Sequence, residues 1–146
     1  MKIEVKIDEA ALEPRIIIQT KEMTEELMRW VKSINSLTEP YLMGYKNNSV
    51  EMLNPKEIVR IFAADKKIFA EKGKEEYLLR QRLYELENIL EPKKFVRISN
   101  SEIINLKYVQ KFDLSFSGTI CIILSNGNIT YTSRRYISRI KKNLGL

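Results

Sequence analysis

Histidine is absent from this 146-residue chain, and cysteine occurs once, at Cys121. The first absence excludes every His-based catalytic triad. The two together leave an ordinary zinc or non-haem iron site without ligands, so no metal or other cofactor is expected. One thiol cannot form an internal disulfide. Cys121 lies in the apolar run 119–124, where a buried structural thiol is expected. Glycine is scarce, at five residues, and no glycine-rich phosphate loop is present, so nucleotide hydrolysis has no visible site. No apolar run approaches the ~20 residues of a membrane span, and the N-terminus has no signal-peptide core. A cytoplasmic protein is expected. Acids are plentiful, but the candidate pairs Glu75-Glu76 and Glu85/Glu87 point to different sides of a strand or helix. They read as surface charges, and with no nucleophile–base set in view neither an enzyme nor a small-molecule substrate is expected.

What is present is a foldable chain with a localised positive charge. Apolar residues make up 44% of it, enough for a core and too much for disorder. Its length suits one medium domain, or a small domain with an N-terminal extension. The net charge of +6 is moderate, but its distribution is uneven. Residues 134–142 contain Arg134, Arg135, Arg139, Lys141 and Lys142 and no acid. Such a stripe is either a solvated tail or the electrostatic footprint of a nucleic-acid partner.

Hydrophobic periodicity divides the chain near residue 54. Residues 2–7 and 15–19 alternate or run apolar as strands do, and 15–19 is expected to be covered on both faces. Thr24 is a candidate N-cap for a helix whose apolar face carries Leu27, Met28, Val31 and Ile34, with Trp30 beside them. Strands at 41–44 and 50–53 flank the turn pair Asn47-Asn48. Residues 1–53 therefore read as a small α/β extension. Beyond it, strands are expected at 57–62, 66–70, 75–79, 95–98, 109–116, 119–124 and 129–132. A short helix is expected over 82–90, with Leu83, Leu86, Ile89 and Leu90 inward, and another over 136–144. Residues 102–106 fit either a helical turn or an extended piece. Asn126-Gly127 is the strongest hairpin signal, because it readily supplies two residues with positive φ.

Two polar-basic clusters interrupt this β pattern. In the first, Arg97 leads into Ser99-Asn100-Ser101. In the second, Ser133-Arg134-Arg135-Tyr136 follows a strand. An amide such as Asn100 can pair bidentately with adenine, and an arginine fork such as Arg135 can take guanine O6 and N7 or a phosphate. Each also has a purely structural reading. Asn100 would then close an Asx-turn, Arg135 would sit in a surface ion pair, and Ser133 would cap its turn.

These residues resemble the LytTR-type DNA-binding domain of bacterial transcriptional regulators. The family pattern F-x-R-x-(H/S)-(R/N/K)-S-x-I-V-N corresponds here to Phe95-Val96-Arg97-Ile98-Ser99-Asn100-Ser101-Glu102-Ile103-Ile104-Asn105. It continues through Asn126-Gly127, Ser133-Arg134-Arg135-Tyr136 and the tail Lys141-Lys142-Asn143-Leu144. The resemblance reaches back to about Asn54, through Ile58-Val59-Arg60-Ile61 and Leu83-Tyr84-Glu85-Leu86-Glu87.

The resemblance implies a mostly β, α+β fold, a stack of antiparallel sheets over 54–146, behind the small extension over 1–53. It implies sequence-specific binding of double-stranded DNA through inter-strand loops that enter the major groove, and hence transcriptional regulation. One polar residue from each of three loops would read bases. These fall at Asn100, at Arg135 and near Asp65-Lys66-Lys67. Relatives often carry histidine in that first loop, and phosphate binding by Lys66 or Lys67 replaces base reading here. Ser99 stands where many relatives have histidine. Arg97 would support the site or touch phosphate, and Ser99, Ser101, Ser133, Arg134, Arg139, Lys141 and Lys142 would flank it. Asn105, Tyr84 and Leu86 would be architectural. Residues 1–53 are too short for a phosphoacceptor receiver domain and lack its acidic pocket, so a stand-alone regulator is expected. The apolar face near Trp30 is expected to be core, a homodimer surface, or the docking site of a small membrane-protein inhibitor of the kind that restrains some stand-alone relatives. Two other readings remain. One is a protein-interaction or anti-regulator module using the extension, and the other is an RNA-binding module using exposed aromatics.

Overall fold

The computed structural model describes residues 1–12, 14–36 and 41–146. Helix α1 spans Glu25–Ser36. The Leu27 amide donates to the Thr24 hydroxyl at 3.1 Å, the N-cap that the sequence suggests. Leu27 is buried, while Met28 and Trp30 remain exposed. The segments at 2–7 and 15–19, expected as strands, are not strands. Ile16 and Ile17 are 67% and 68% exposed rather than covered. Alternation supplies a side-chain pattern, but a strand exists only where a second backbone satisfies its N–H and C=O groups.

The remaining chain forms two antiparallel sheets. The larger contains β1 (Leu42–Lys46), β2 (Ser49–Leu53), β3 (Ile58–Ala64), β4 (Lys67–Lys72), β5 (Glu75–Leu79), β6 (Phe95–Ser99) and β7 (Glu102–Asn105), in the order β2-β1-β5-β4-β3-β7-β6. The smaller contains β8 (Val109–Asp113), β9 (Cys121–Leu124) and β10 (Ile129–Tyr131), in the order β10-β9-β8. This is a mostly β, α+β fold. The β1–β2 hairpin turns at Asn47, whose φ is 54°, and it joins the large sheet rather than standing apart. Gly44 makes that possible. A Cβ there would meet Leu53 Cδ1 at 2.6 Å and Tyr77 Cβ at 2.8 Å.

The two faces of the large sheet pack against different partners. Helix α2 (Leu83–Ile89) places Leu83 and Leu86, followed by Leu90, in a core with Leu42, Leu53, Ile61, Tyr77, Leu79 and Ile103. Ile89, expected inward, is 38% exposed. Seven residues make two turns, and the inward stripe closes with Leu90. The second core joins Val96, Ile98 and Ile104 to Ile120, Ile122 and Leu124, and helix α3 (Ile137–Leu144) adds Ile140. Cys121 is buried and unpaired with any other thiol, as expected. Residues 102–105 are extended and fully buried, followed by a 3-10 turn at Leu106–Tyr108. Asn105 ties this corner down, donating from Nδ2 to the Ile58 carbonyl at 2.9 Å. Leu86 is fully buried, so both are architectural. Tyr84, placed with them from the sequence, is 58% exposed.

A polar cluster links the sheets where the second core stops. Arg60 on β3 bridges Glu71 at 2.7 Å and Glu102 at 2.8 Å, and both carboxylates are buried. From the smaller sheet's hairpin, the Asn126 and Asn128 amides bond Glu71, and the Thr130 hydroxyl bonds Glu102. Burial pushes the Glu102 carboxyl up despite Thr130 and Arg60. Burial pulls the Arg60 guanidinium down, but its bonds to Glu71 and Glu102 outweigh this and leave it raised. A buried charge needs such satisfaction, since an unpaired one costs several kcal/mol, roughly 3–5 when a partner is removed.

Candidate nucleic-acid interface

Backbone pairing brings three loops to one rim. The first is the β3–β4 turn, with Asp65 at φ 51° and Lys66 at φ 63°. Two consecutive residues of this kind form the tight hairpin turn whose twist suits the flanking strands. Lysine gains nothing from that conformation, which costs on the order of 1 kcal/mol. It leaves Lys66 and Lys67 fully exposed at the tip. The second loop, 99–101, sits beside the first, because the Ala63 amide donates to the Ser101 carbonyl at 2.8 Å. The third is the 3-10 turn Arg134–Tyr136 after β10. It docks on β6 through the Ser133 amide, which donates to the Ile98 carbonyl at 2.9 Å.

One side-chain bond joins the second loop to the third. The Tyr136 hydroxyl donates to Asn100 Oδ1 at 3.1 Å. Asn100 therefore does not close an Asx-turn, and the serines hold the loop instead. Ser99 Oγ accepts from the Ser101 amide at 3.1 Å and lies 3.2 Å from Ser101 Oγ. Asn100 is exposed, and its Oδ1 retains a second lone pair for an outside donor.

Arg97 is committed to the protein. Its Nε donates to the Ser99 carbonyl at 2.7 Å and its Nη2 to the Asn100 carbonyl at 2.7 Å. Its Nη1 pairs with Glu87 of α2 at 2.8 Å, and the side chain is only 12% exposed. It therefore acts as a brace for the 99–101 loop. Glu87 also holds Arg139 Nη2 at 3.2 Å, with the Arg139 guanidinium 5.9 Å from the Tyr136 ring centre. Arg139 thus has an internal partner to give up before it can bind a phosphate. Arg134 and Arg135 are exposed, and the Arg134 guanidinium lies beside Gly118, 3.1 Å from where a Cβ would stand. Lys141 and Lys142 are exposed on α3. Ser133 makes no side-chain cap bond, contrary to one expectation, because its carbonyl and not its hydroxyl receives the Tyr136 amide.

The backbone thus brings the turn that carries Lys66 and Lys67, the loop Ser99-Asn100-Ser101 and the turn Ser133-Arg134-Arg135 next to one another, with Arg97 beneath the second and α3, which carries Arg139, Lys141 and Lys142, continuing from the third. Sequence reasoning missed Glu87 and the Tyr136 hydroxyl. The one available signal was Arg97 itself, a cation on a half-buried strand that must find a carboxylate. Among the described residues, no group of three His, Cys, Asp or Glu side chains could hold a metal. No helix there is long and apolar enough to cross a membrane.

Comparison with known proteins places these observations in a family. Residues 48–145 match the LytTr DNA-binding domain family. An uncharacterized HTH-type transcriptional regulator of Staphylococcus aureus strain MSSA476 is 32% identical over 147 aligned positions, covering 100% of this chain and 99% of that protein. The corresponding protein of strain COL is also 32% identical with the same coverage. A solved LytTr DNA-binding domain from Bacillus cereus superposes with a TM-score of 0.71 at 20% identity, covering 73% of this chain and 98% of the other. The relatives' names specify a helix-turn-helix. Among the described residues of this chain no two α-helices follow one another, and the loops lie on sheets.

Proposed function

Because the chain belongs to the LytTR family of DNA-binding domains, we propose that it is a transcriptional regulator that reads duplex DNA with this rim. It works without catalysis, in the cytoplasm, and its loops enter the major groove. Asn100 and Arg135 supply the base contacts, the first suited to adenine and the second to guanine. Lys66, Lys67, Arg134, Lys141 and Lys142 hold phosphates, with Ser99, Ser101 and Ser133 offering hydroxyls at the rim. Arg139 joins the phosphate contacts once Glu87 releases it, and Arg97 keeps the central loop in shape.

The observation that carries this reading is the Tyr136–Asn100 bond together with the two backbone bonds at Ala63 and Ser133. They set three loop tips side by side with cations on each flank. An anionic groove of regular shape is the complement of such an edge.

The test uses a duplex selected from a random pool by the wild-type protein. Arg135→Ala is expected to cost about 1–3 kcal/mol on that duplex and to relax preference at one base position. Asn100→Ala with Arg135→Ala is expected to reduce binding to the level of random DNA. Equal losses on selected and random DNA would assign both residues to the backbone instead.

A further inference from the structure

The N-terminal 22 residues and the free edge of the large sheet are each incomplete in the same way. Residues 15–19 read Arg-Ile-Ile-Ile-Gln, a pattern suited to a strand. Ile16 and Ile17 are two-thirds exposed, Ile18 is 40% exposed, and among the described residues no strand pairs with them. At the other site, β2 ends the large sheet and bonds only β1. The register Lys46↔Ser49, Tyr45↔Val50, Gly44↔Glu51 fixes which groups are spare. Pairs alternate in a hairpin with a two-residue turn, so Ser49, Glu51 and Leu53 bond β1, while the N–H and C=O groups of Val50 and Met52 point away from the sheet. The edge carries no proline, lysine or bulge, and its one charged side chain, Glu51, lies on the opposite face from Val50 and Met52 and pairs with Lys72. The side chains beside it are apolar and open. Val50 is 54% exposed, Met52 60% and Met43 40%, and they share one face because Met43 lies opposite Met52.

We infer that residues 15–19 of one copy add as a strand to β2 of a second copy, and that the exchange is reciprocal, making the protein a homodimer. The occupant is a second copy because this chain itself supplies the missing strand. Strand addition would satisfy the outward groups of Val50 and Met52 and set Ile17 beside their side chains. Charge favours the same pairing. The first 22 residues hold four bases and five acids, whereas the other 124 hold 21 bases and 14 acids. A slightly acidic arm approaches a basic body without repulsion, and without using the cationic rim. The Staphylococcus relatives align over the whole chain, so the arm belongs to what they share with it. Two-fold exchange gives two identical interfaces, a closed assembly that stops at two copies. This inference stands apart from the proposed function, since it uses neither the loops nor DNA.

The test is made on the full chain. Sedimentation equilibrium at micromolar concentration is expected to give twice the 17.2 kDa chain mass. Ile17→Glu is expected to return it to one chain mass with an unchanged far-UV spectrum. Met52→Pro, which removes the outward N–H together with the exposed methionine side chain and leaves every bond to β1 in place, is expected to do the same. Because either variant could fail to fold, a mixing experiment stands beside them. Chains carrying Ile17→Cys are mixed with chains carrying Met52→Cys and oxidised, and a mixed disulfide between the two preparations is expected. A monomeric wild type, a dimer that survives Ile17→Glu, or a 17–52 disulfide formed only within a chain carrying both substitutions would each overturn the inference.

Discussion

Glu87 shows how much of this rim depends on a residue that is not part of it. Its two carboxylate oxygens hold Arg97 and Arg139. Arg97 in turn grips the Ser99 and Asn100 carbonyls. A half-buried pair of this kind contributes more than an exposed one, which is worth at most about 1 kcal/mol. Glu87→Gln keeps the shape and removes the charge. It is expected to weaken binding to a selected duplex about three- to tenfold while binding to random duplex stays level or rises, because Arg139 is freed for phosphate. The ratio of the two affinities, measured by anisotropy, is the readout, and an unchanged ratio refutes the bracing role. Asn100 and Arg135 were legible as recognition candidates because an amide and an arginine fork suit base edges, and the family resemblance favoured that over their structural readings. Glu87 was not, since a helical acid next to other acids reads as solvated surface until its partners are known.

The elements follow local rules wherever a partner lies nearby in the chain. The hairpins at Asn47, at Gly73 and at Gly127 fall where turn chemistry sets them, with φ of 54°, 61° and 93°. Their strands pair with their immediate neighbours, so alternation alone suffices. The β1–β2 hairpin is different, because its place beside β5 requires backbone to pass close to Tyr77. Gly44 permits that approach, and Gly44→Ala would force Leu53 and the Tyr77 Cβ apart. The expected loss is about 1–3 kcal/mol of overpacking strain, read as a lower urea midpoint with an unchanged slope. An unchanged midpoint would mean that the hairpin shifts outward freely. The strands expected at 2–7 and 15–19 fail for the complementary reason, since no neighbouring segment completes them within one chain.

Across the whole molecule, charge divides into an internal framework and an external edge. Partly exposed carboxylates outside that framework govern the acid response. Hydrogen bonds from Tyr77 and then Lys72 hold Glu51 below its ordinary range, and the bond from Tyr77 and the charge of Lys46 do the same to Glu75. The bond from Ser115 lowers Asp113. A lowered carboxylate stabilises the fold above its unfolded value, near 4.5 for glutamate and 3.8 for aspartate, and the contribution disappears as pH falls through the folded value. Glu102, raised by burial, acts in the opposite sense and favours the folded state on protonation. Acid unfolding should therefore be driven by the first group. The double variant Glu51→Gln, Glu75→Gln is expected to show a smaller difference in urea midpoint between pH 7 and pH 3 than the wild type, and an equal difference would remove these two from the account. The external edge responds to salt. If Lys66, Lys67, Arg134, Lys141 and Lys142 each neutralise one phosphate, log affinity should fall with log salt at a slope of about −4.5. A flat response would exclude duplex DNA as the partner.

Sequence alone determined the β-rich class, the turns, the two amphipathic helices of the body and the cationic, amide-bearing loops. All of these depend on residues within one hairpin or one helical turn of each other, where periodicity and backbone preference act without outside help. Tertiary structure decided the rest, namely the seven-strand order, the Arg60 bridge across three strands of the large sheet, the clamp at Glu87 and the meeting of Tyr136 with Asn100. Those contacts join residues 10 to 52 positions apart. No local preference encodes them, because each becomes available only after two separately formed elements have been brought together.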